Sequence, residues 1–189
     1  MTEAITQNFP ASYFPIDEAT KQSGFTMASD PLTCSLLKTL AASKPGGKFL
    51  ELGTGTGLST AWILDGMDST SALISVDNDA RFLNIAKEYL SDNRLDLICA
   101  DAGEWLNQNL EFDFIFADTW HGKYLMLKEA LAMLKPGGLY ILDDMLPQPN
   151  WPEGHQEKAL KLIADLDNRT DITLTKLRWA TGIIIASKK

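Results

Sequence analysis

The chain has few cysteines and no long apolar run, and each shortage excludes a class of protein. Only Cys34 and Cys99 occur among the 189 residues, and they form no CxxC pair. A disulfide-stapled scaffold and a zinc-thiolate centre are therefore excluded, and the expected compartment is the cytoplasm. No apolar stretch approaches the roughly 20 residues that span a bilayer. Residues 1–20 also lack the basic and apolar regions of a secretory signal, so we expect no membrane partner.

Basic residues are also scarce. The chain has 17 Lys and Arg against 25 Asp and Glu, which gives a formal net charge of -8. Proteins that bind nucleic acid usually present a basic face to the phosphates. The lysines and arginines here are scattered along the sequence, so we expect a small-molecule substrate and no nucleic-acid partner.

Apolar strands and amphipathic helices alternate along most of the chain, whose length fits a single domain, residues 1–189. Residues 1–29 are predicted to be irregular, and a helix is predicted from Asp30 or Pro31 to about Ala42, with Asp30 as its cap. The core, residues 30–189, is predicted to continue with strands at 48–53, 72–77, 95–100, 112–117 and 139–142, and with helices at 58–64, 80–90, 104–110, 124–134 and 156–166.

Two further strands are predicted at about 171–178 and 182–187. They are too close together for a helical crossover, so they must pair as an antiparallel hairpin. The predicted fold class is therefore α/β, a Rossmann-like doubly wound sheet of about seven strands, mostly parallel with a C-terminal antiparallel hairpin.

Acidic residues follow four of the five predicted parallel strands. They are Asp77, Asp101, Asp118 and the pair Asp143 and Asp144. Ligands of an open parallel sheet bind beyond the carboxyl ends of its strands, because the connecting loops gather there. An acid at the end of the second strand, such as Asp77, can accept both hydroxyls of a ribose. These positions predict a nucleoside-type ligand at this edge of the sheet.

The loop after the first strand reads ELGTGTG over residues 51–57. Its three glycines let the backbone turn sharply and approach a ligand, and the following helix adds partial positive charge. Dinucleotide-binding loops usually have the spacing G-x-G-x-x-G, whereas Leu58 occupies the third glycine position here. Glu51 would disfavour a pyrophosphate, but it suits the cationic amino-acid end of S-adenosylmethionine.

The segments ELGTGTGLST, SVDND, CADA, DFIFADTWHGKY and LKPGGLYILDDML resemble the small class I S-adenosylmethionine-dependent O-methyltransferases, in the catechol and caffeoyl-CoA branch. The resemblance covers roughly residues 27–189. It implies O-methylation of a small hydroxylated, catechol-like acceptor, and it makes a homodimer possible. Ser59 matches the residue at the cofactor carboxylate, and Asp101 with Ala102 matches the adenine site. The loop and the resemblance together predict these cofactor-binding residues: Met27, Glu51, Gly53, Thr54, Gly55, Gly57, Ser59, Asp77, Asp101, Ala102, Asp118 and Trp120.

The resemblance also implies a divalent metal such as Mg²⁺. Its ligands in that family are an Asp after the fourth strand and an Asp-Asn pair after the fifth. Asp118 and Asp143 match the first two ligands, and Asp144 replaces the Asn. A cation with oxygen ligands would offset the repulsion among three carboxylates. Adjacent strand residues face opposite sides, so Asp144 shares the site only if the chain bends there, and otherwise it caps a loop.

The general base is a second departure from the family pattern. Family members have a Lys three residues after the metal-binding Asp118 position, where this chain has His121. An imidazole titrates near neutral pH and accepts a proton from a hydroxyl, so His121 and Asp118 are the predicted catalytic residues. Lys123 and His155 are alternative bases. The other functions left open are a metal-independent O- or N-methyltransferase, a non-catalytic S-adenosylmethionine-binding module and, last, a nucleotide-linked oxidoreductase.

Overall fold

The structure is a computed structural model that describes residues 8–149 and 151–189. Seven strands form one sheet: β1 (Lys48–Leu52), β2 (Ala72–Asp77), β3 (Leu95–Cys99), β4 (Phe112–Ala117), β5 (Leu134–Leu142), β6 (Ile172–Leu177) and β7 (Ile183–Lys188). The helices are α1 (Tyr13–Ser23), α2 (Pro31–Ala42), α3 (Leu58–Gly66), α4 (Ala80–Tyr89), α5 (Ala102–Trp105), α6 (Leu127–Ala132) and α7 (His155–Asp167). Within the described ranges, no helix has the length and apolar character needed to cross a membrane.

The strand order is β3-β2-β1-β4-β5-β7-β6. Strands β1 to β5 are parallel to one another, whereas β7 is antiparallel to both β5 and β6. The predicted α/β sheet with its C-terminal antiparallel hairpin is therefore confirmed. The direction of winding reverses between β1 and β4, and in open α/β sheets such a switch point opens a crevice at the carboxyl ends of the strands.

The central strands are buried on both faces, which explains their nearly continuous apolar sequences. In β1, Leu50 and Leu52 pack into one hydrophobic cluster, and Phe49 packs into a second. In β4, Phe114 and Phe116 join the second cluster. Successive side chains of a strand point to opposite faces, so these two clusters are the layers between the sheet and its flanking helices.

The N-terminal segment differs from the prediction that residues 1–29 are irregular. Residues 13–23 form α1, and residues 1–7 lie outside the described part of the chain. Pro15 falls in the first turn, where its missing N–H removes no helical hydrogen bond. Gly24 ends the helix with a φ of 74°. The next helix, α2, has the predicted bounds, and Asp30 caps it by accepting a hydrogen bond from the Leu32 amide.

Three other elements begin more than one residue away from the prediction, and α5 also ends at Trp105 rather than 110. Helix α5 begins at Ala102 rather than 104, because the Asp101 carboxylate caps the amides of the two following residues, 103 and 104. Helix α6 begins at Leu127 rather than 124, because a turn precedes it in which the amides of residues 123–125 all donate to the Trp120 carbonyl. Strand β5 begins at residue 134 rather than 139, and its KPGG segment is a bulge in the ladder with β4.

Candidate functional site

A cavity of about 660 Å³ lies at the carboxyl ends of β1, β2, β4 and β5. That volume is in the range of small-molecule sites. The segment before α2 and the start of α7 form its other walls. Among its lining residues are Phe25, Met27, Ser29, Gly53, Thr54, Gly55, Ser59, Asp77, Phe82, Asp118, Trp120, Lys123, Tyr124, Asp143, Asp144, Trp151, His155 and Thr181.

The glycine-rich loop forms one end of this cavity. Gly53 has a φ of 102°, and a Cβ atom there would lie 2.8 Å from the Asp118 carbonyl oxygen. Gly57 has a φ of 94°, and a Cβ atom there would lie 2.9 Å from Cβ of Ala86 in α4. Glycine is therefore required at both positions by backbone conformation and by packing. The close approach at Gly53 brings the loop directly against the end of β4.

Asp77 anchors the loop to the end of β2. Its Oδ2 accepts a hydrogen bond from the Gly55 amide at 2.7 Å, and its Oδ1 accepts one from the Asp79 amide at 2.8 Å. Each carboxylate oxygen has a second lone pair, so ribose hydroxyls can still donate to Asp77. The structure thus places Asp77, the residue predicted to bind the ribose, on the cavity wall.

Glu51 lies beneath the loop rather than on the cavity wall. Its side chain is fully buried, with Oε1 accepting from Ser59 Oγ at 2.6 Å and Oε2 accepting from Thr60 Oγ1 at 2.5 Å and from Ser75 Oγ at 2.6 Å. Burial raises the pKa of Glu51 to about 7, although the three hydroxyl donors act to lower it. Glu51 therefore ties β1, β2 and α3 together and is not placed to touch a ligand.

Ser59, at the start of α3, does line the cavity. Its hydroxyl hydrogen is donated to Glu51. A carboxylate bound here would therefore be held by the free backbone N–H groups of the α3 N-terminus.

Besides Glu51, four of the predicted site residues lie outside the cavity wall: Gly57, Asp101, Ala102 and His121. Asp101 caps α5, and Ala102 is buried. His121 faces α5, since a Cβ atom on Gly103 would lie 2.8 Å from His121 Nε2. The structure therefore does not bring the predicted base His121 together with Asp118. The next residue, Gly122, has a φ of 83°, so the backbone turns there. The side chains after Gly122 therefore do not follow the direction of His121.

Lys123 is the residue that this turn places beside the acids. Its side chain is 5% exposed. The ammonium Nζ donates to the Asp143 carbonyl oxygen at 3.0 Å and lies 3.5 Å from Asp118 Oδ1. The other carboxylate oxygen of Asp118 accepts a hydrogen bond from Ser29 Oγ at 2.9 Å. Lys123, which the sequence offered as an alternative general base, is thus a buried cation beside the acids of the site.

Asp143 and Asp144 both line the cavity because the chain bends after β5. Asp144 has a φ of 57°, the left-handed conformation, which ends the strand alternation. Asp143 Oδ1 accepts from the Asp144 amide at 2.7 Å and from Thr181 Oγ1. Burial and the nearby Asp118 charge raise the pKa of Asp143 to about 7. The same two causes raise the pKa of Asp144, whereas Lys123 lowers it.

The residues around these acids do not fit a divalent metal as they stand. Within residues 8–149 and 151–189, no three His, Cys, Asp or Glu side chains are grouped as metal ligands. Both oxygens of Asp118 and one of Asp143 already face donors from the protein. The Lys123 ammonium also places a positive charge where a divalent ion would need to approach, and the two cations would repel.

Aromatic side chains form the opposite end of the cavity. Trp151 stacks on His155 with ring centroids 4.4 Å apart. The Tyr124 hydroxyl lies 3.0 Å from His155 Nε2, and Lys158 Nζ lies 4.3 Å from the centre of the Trp120 ring. Burial and the neighbouring lysine charges lower the pKa of His155. This end offers flat apolar surfaces to a planar molecule.

Sequence reasoning missed several lining residues, among them these four: Phe25, Ser29, Phe82 and Thr181. Ser29 reaches Asp118 across 89 residues of chain, and Thr181 reaches Asp143 across 38. Phe25 packs on Phe82 at 4.6 Å and touches the position of Gly55. Three of the four lie in irregular segments without a motif, so no sequence signal could have identified them.

Part of the chain is similar in sequence to known proteins. A protein of Mycobacterium avium (strain 104) named "Putative O-methyltransferase" is 29% identical over 125 residues, which cover 61% of this chain and 55% of the relative. The chain thus spans about half the length of the curated relatives that it matches.

Two solved structures share the fold. The O-methyltransferase from Bacillus cereus in complex with SAH superposes with a TM-score of 0.84 at 18% identity, over 99% of this chain and 94% of that one. The O-methyltransferase TomG from Streptomyces achromogenes, involved in tomaymycin synthesis and in complex with SAM, superposes with a TM-score of 0.83 at 18% identity, over 99% and 93%.

A family model described as a methyltransferase domain matches residues 50–145, just over half of the chain. The matched segment runs from the first buried strand, through the glycine-rich loop, to the acids after β5. The chain therefore belongs to the methyltransferase domain family.

Proposed function

We propose that this protein is an S-adenosylmethionine-dependent O-methyltransferase that acts on a small, planar, hydroxylated acceptor. The observation that carries the proposal is one continuous cavity lined by both the glycine-rich loop and the acids after β4 and β5. The two solved relatives with SAH and SAM support the cofactor. The family match and the name of the Mycobacterium relative support the reaction.

The loop end of the cavity suits the cofactor. Asp77 is positioned for the ribose, and the start of α3 is positioned for the carboxylate of the amino-acid part. Gly53 lies against Asp118, so a cofactor bound on the loop has its methionine part near the acids. The methyl group then faces the part of the cavity between Asp118 and the aromatic residues.

The acceptor fits that remaining space. Trp151 and Tyr124 are half-buried and supply flat apolar surfaces against which an aromatic ring can pack. The acids and Lys123 at the other side supply partners for hydroxyl groups. We therefore infer a catechol-like acceptor, with its ring on the aromatic side and its hydroxyls toward Asp118 and Asp144.

The reaction is a displacement at the methyl carbon. An O–C bond forms as the S–C bond of the sulfonium breaks, and the acceptor loses its hydroxyl proton. The protein must align oxygen, carbon and sulfur and receive that proton. We assign the proton to the Asp144 carboxylate, which lines the cavity and is used by no hydrogen bond among the described residues. His121, against α5, is not placed for this role.

Calorimetry with S-adenosylmethionine tests the cofactor, and release of S-adenosylhomocysteine from a panel of catechols, simple phenols and anilines tests the acceptor. We expect saturable cofactor binding and turnover of catechols ahead of anilines. Asp144→Asn should lower kcat by about 100-fold, the usual contribution of a positioned base, with cofactor affinity retained. His121→Ala serves as the matched control and should stay near the wild-type kcat. Cofactor binding without turnover of any acceptor would instead support a non-catalytic binding module.

A further inference from the structure

We propose that the Lys123 ammonium takes the place of a divalent cation in the acceptor site, so that methyl transfer in this protein needs no metal. The part of this inference that concerns turnover rests on the proposed function. The part that concerns cation binding does not.

The position of the ammonium is the first observation. A lysine that is 5% exposed needs polar partners, because a buried charge without them is strongly unfavourable. Lys123 has two partners among the described residues, the Asp143 carbonyl and the Asp118 carboxylate. These partners follow β4 and β5, so the ammonium lies between the same two strand ends that the sequence assigned to a metal.

The second observation is that the backbone holds Lys123 in this position. The amide of Lys123 donates to the Trp120 carbonyl in the turn before α6. The buried Tyr140 hydroxyl donates to the Gly122 carbonyl at 2.6 Å. Gly122 is packed so closely that a Cβ atom there would lie 2.8 Å from that hydroxyl. The lysine therefore enters the site from a turn that is fixed against the core.

The third observation concerns what the ammonium can do for an acceptor. An ammonium has three N–H donors. One donates to the Asp143 carbonyl at 3.0 Å, and a second is on the side of Asp118, whose Oδ1 lies 3.5 Å from Nζ in an ion pair. The third can donate to an acceptor oxygen in the cavity, which Lys123 lines. The positive charge of the ammonium then stabilises the negative charge that develops on that oxygen as its proton leaves. This is the electrostatic contribution that a divalent cation would otherwise make.

Manganese(II) binding tests the inference without any substrate. The Mn²⁺ ion is the probe, its free concentration is read from its electron paramagnetic resonance signal, and the proteins are wild type, Lys123→Met and Lys128→Met. Lys128→Met removes an exposed lysine on α6 and is the matched control. We expect no saturable binding below millimolar concentrations to wild type or to the control. Lys123→Met, which frees the acids, should bind Mn²⁺ at least about tenfold more tightly.

Micromolar Mn²⁺ binding by the wild type that Asp118→Asn abolishes would overturn the inference. Failure of both wild type and Lys123→Met to bind, with Lys123→Met folded by circular dichroism, would show that Lys123 is not the occupant that excludes the metal. The wild-type titration remains decisive if Lys123→Met does not fold.

Turnover gives a second readout that separates this inference from the proposed function. With an acceptor that releases S-adenosylhomocysteine, we expect wild-type kcat to be unchanged by EDTA and by added Mg²⁺. Loss of turnover in EDTA that Mg²⁺ restores would overturn metal independence and leave the methyltransferase function intact. Absence of turnover with every acceptor would count against the function, while the Mn²⁺ titration would still decide the role of Lys123.

Discussion

Glu51 gives the sharpest prediction, because its carboxyl is fully buried under the cofactor loop with only hydroxyl partners. Burial raises its pKa from 4.5 to about 7. A carboxyl with a raised pKa favours the folded state while it is protonated. Its stabilising contribution is complete below the unfolded-state pKa of 4.5 and is lost as the pH rises through about 7.

The magnitude follows from the two pKa values. The difference between 4.5 and about 7 corresponds to roughly 3 kcal/mol of unfolding free energy. Glu51→Gln keeps the shape of the side chain and removes the ionisation. The stability of the variant relative to wild type should therefore rise between pH 4.5 and 7, by up to about 3 kcal/mol, and then stay level.

Urea unfolding at several pH values between about 4 and 8 measures this difference. Burial also raises the pKa of Asp143 to about 7, but Asp143 is present in both proteins and its effect cancels in the comparison. Glu111→Gln, at an exposed position, is the control and should show a much smaller pH dependence. If the difference in stability between wild type and Glu51→Gln does not change with pH, the reasoning is refuted, because Glu51 would then ionise alike in the folded and unfolded chains.

Two further predictions concern the loop itself. Gly57→Ala should destabilise the protein by about 2–4 kcal/mol in urea unfolding, because it adds a contact with Ala86 to a strained backbone. Gly137 has a similar positive φ but open space around it, so Gly137→Ala should lower the free energy of unfolding by less. Equal losses of stability in the two variants would argue against the packing explanation. Asp77→Ala removes the anchor of Gly55 and the ribose acceptor, and should weaken S-adenosylmethionine binding by about 30- to 100-fold in calorimetry, whereas unchanged affinity would contradict the assignment.

Much of the fold could be predicted from the sequence because the strands are buried on both faces. The predicted bounds of β2 and β4 coincide with the structure, since turn residues and polar residues flank short apolar runs there. The predicted element boundaries were wrong where proline or glycine suggested a break that the tertiary structure does not make. Pro15 suggested an irregular segment, although it fits the first turn of α1. The KPGG segment suggested a turn, although the sheet accommodates it as a bulge in β5.

The candidate site could be predicted only in part. The acids at the strand ends and the glycine loop follow from the order of elements, and the structure brings Asp77, Asp118 and Asp143 to one cavity. Residue type and spacing favoured His121 as the base. The positive φ of Gly122 decided otherwise, because it directs His121 toward α5 and Lys123 toward the acids.

By itself, the sequence determined the class of fold, the edge of the sheet where a ligand binds and the loop that approaches it. All three features depend on the apolar pattern and on the position of glycines, which are local properties of the sequence that extend over a few residues. The tertiary structure alone decided that Glu51 is buried beneath the loop and that Lys123 lies between Asp118 and Asp143. Such contacts join different strand ends and turns, and their distances are set by how the whole sheet packs rather than by any local pattern.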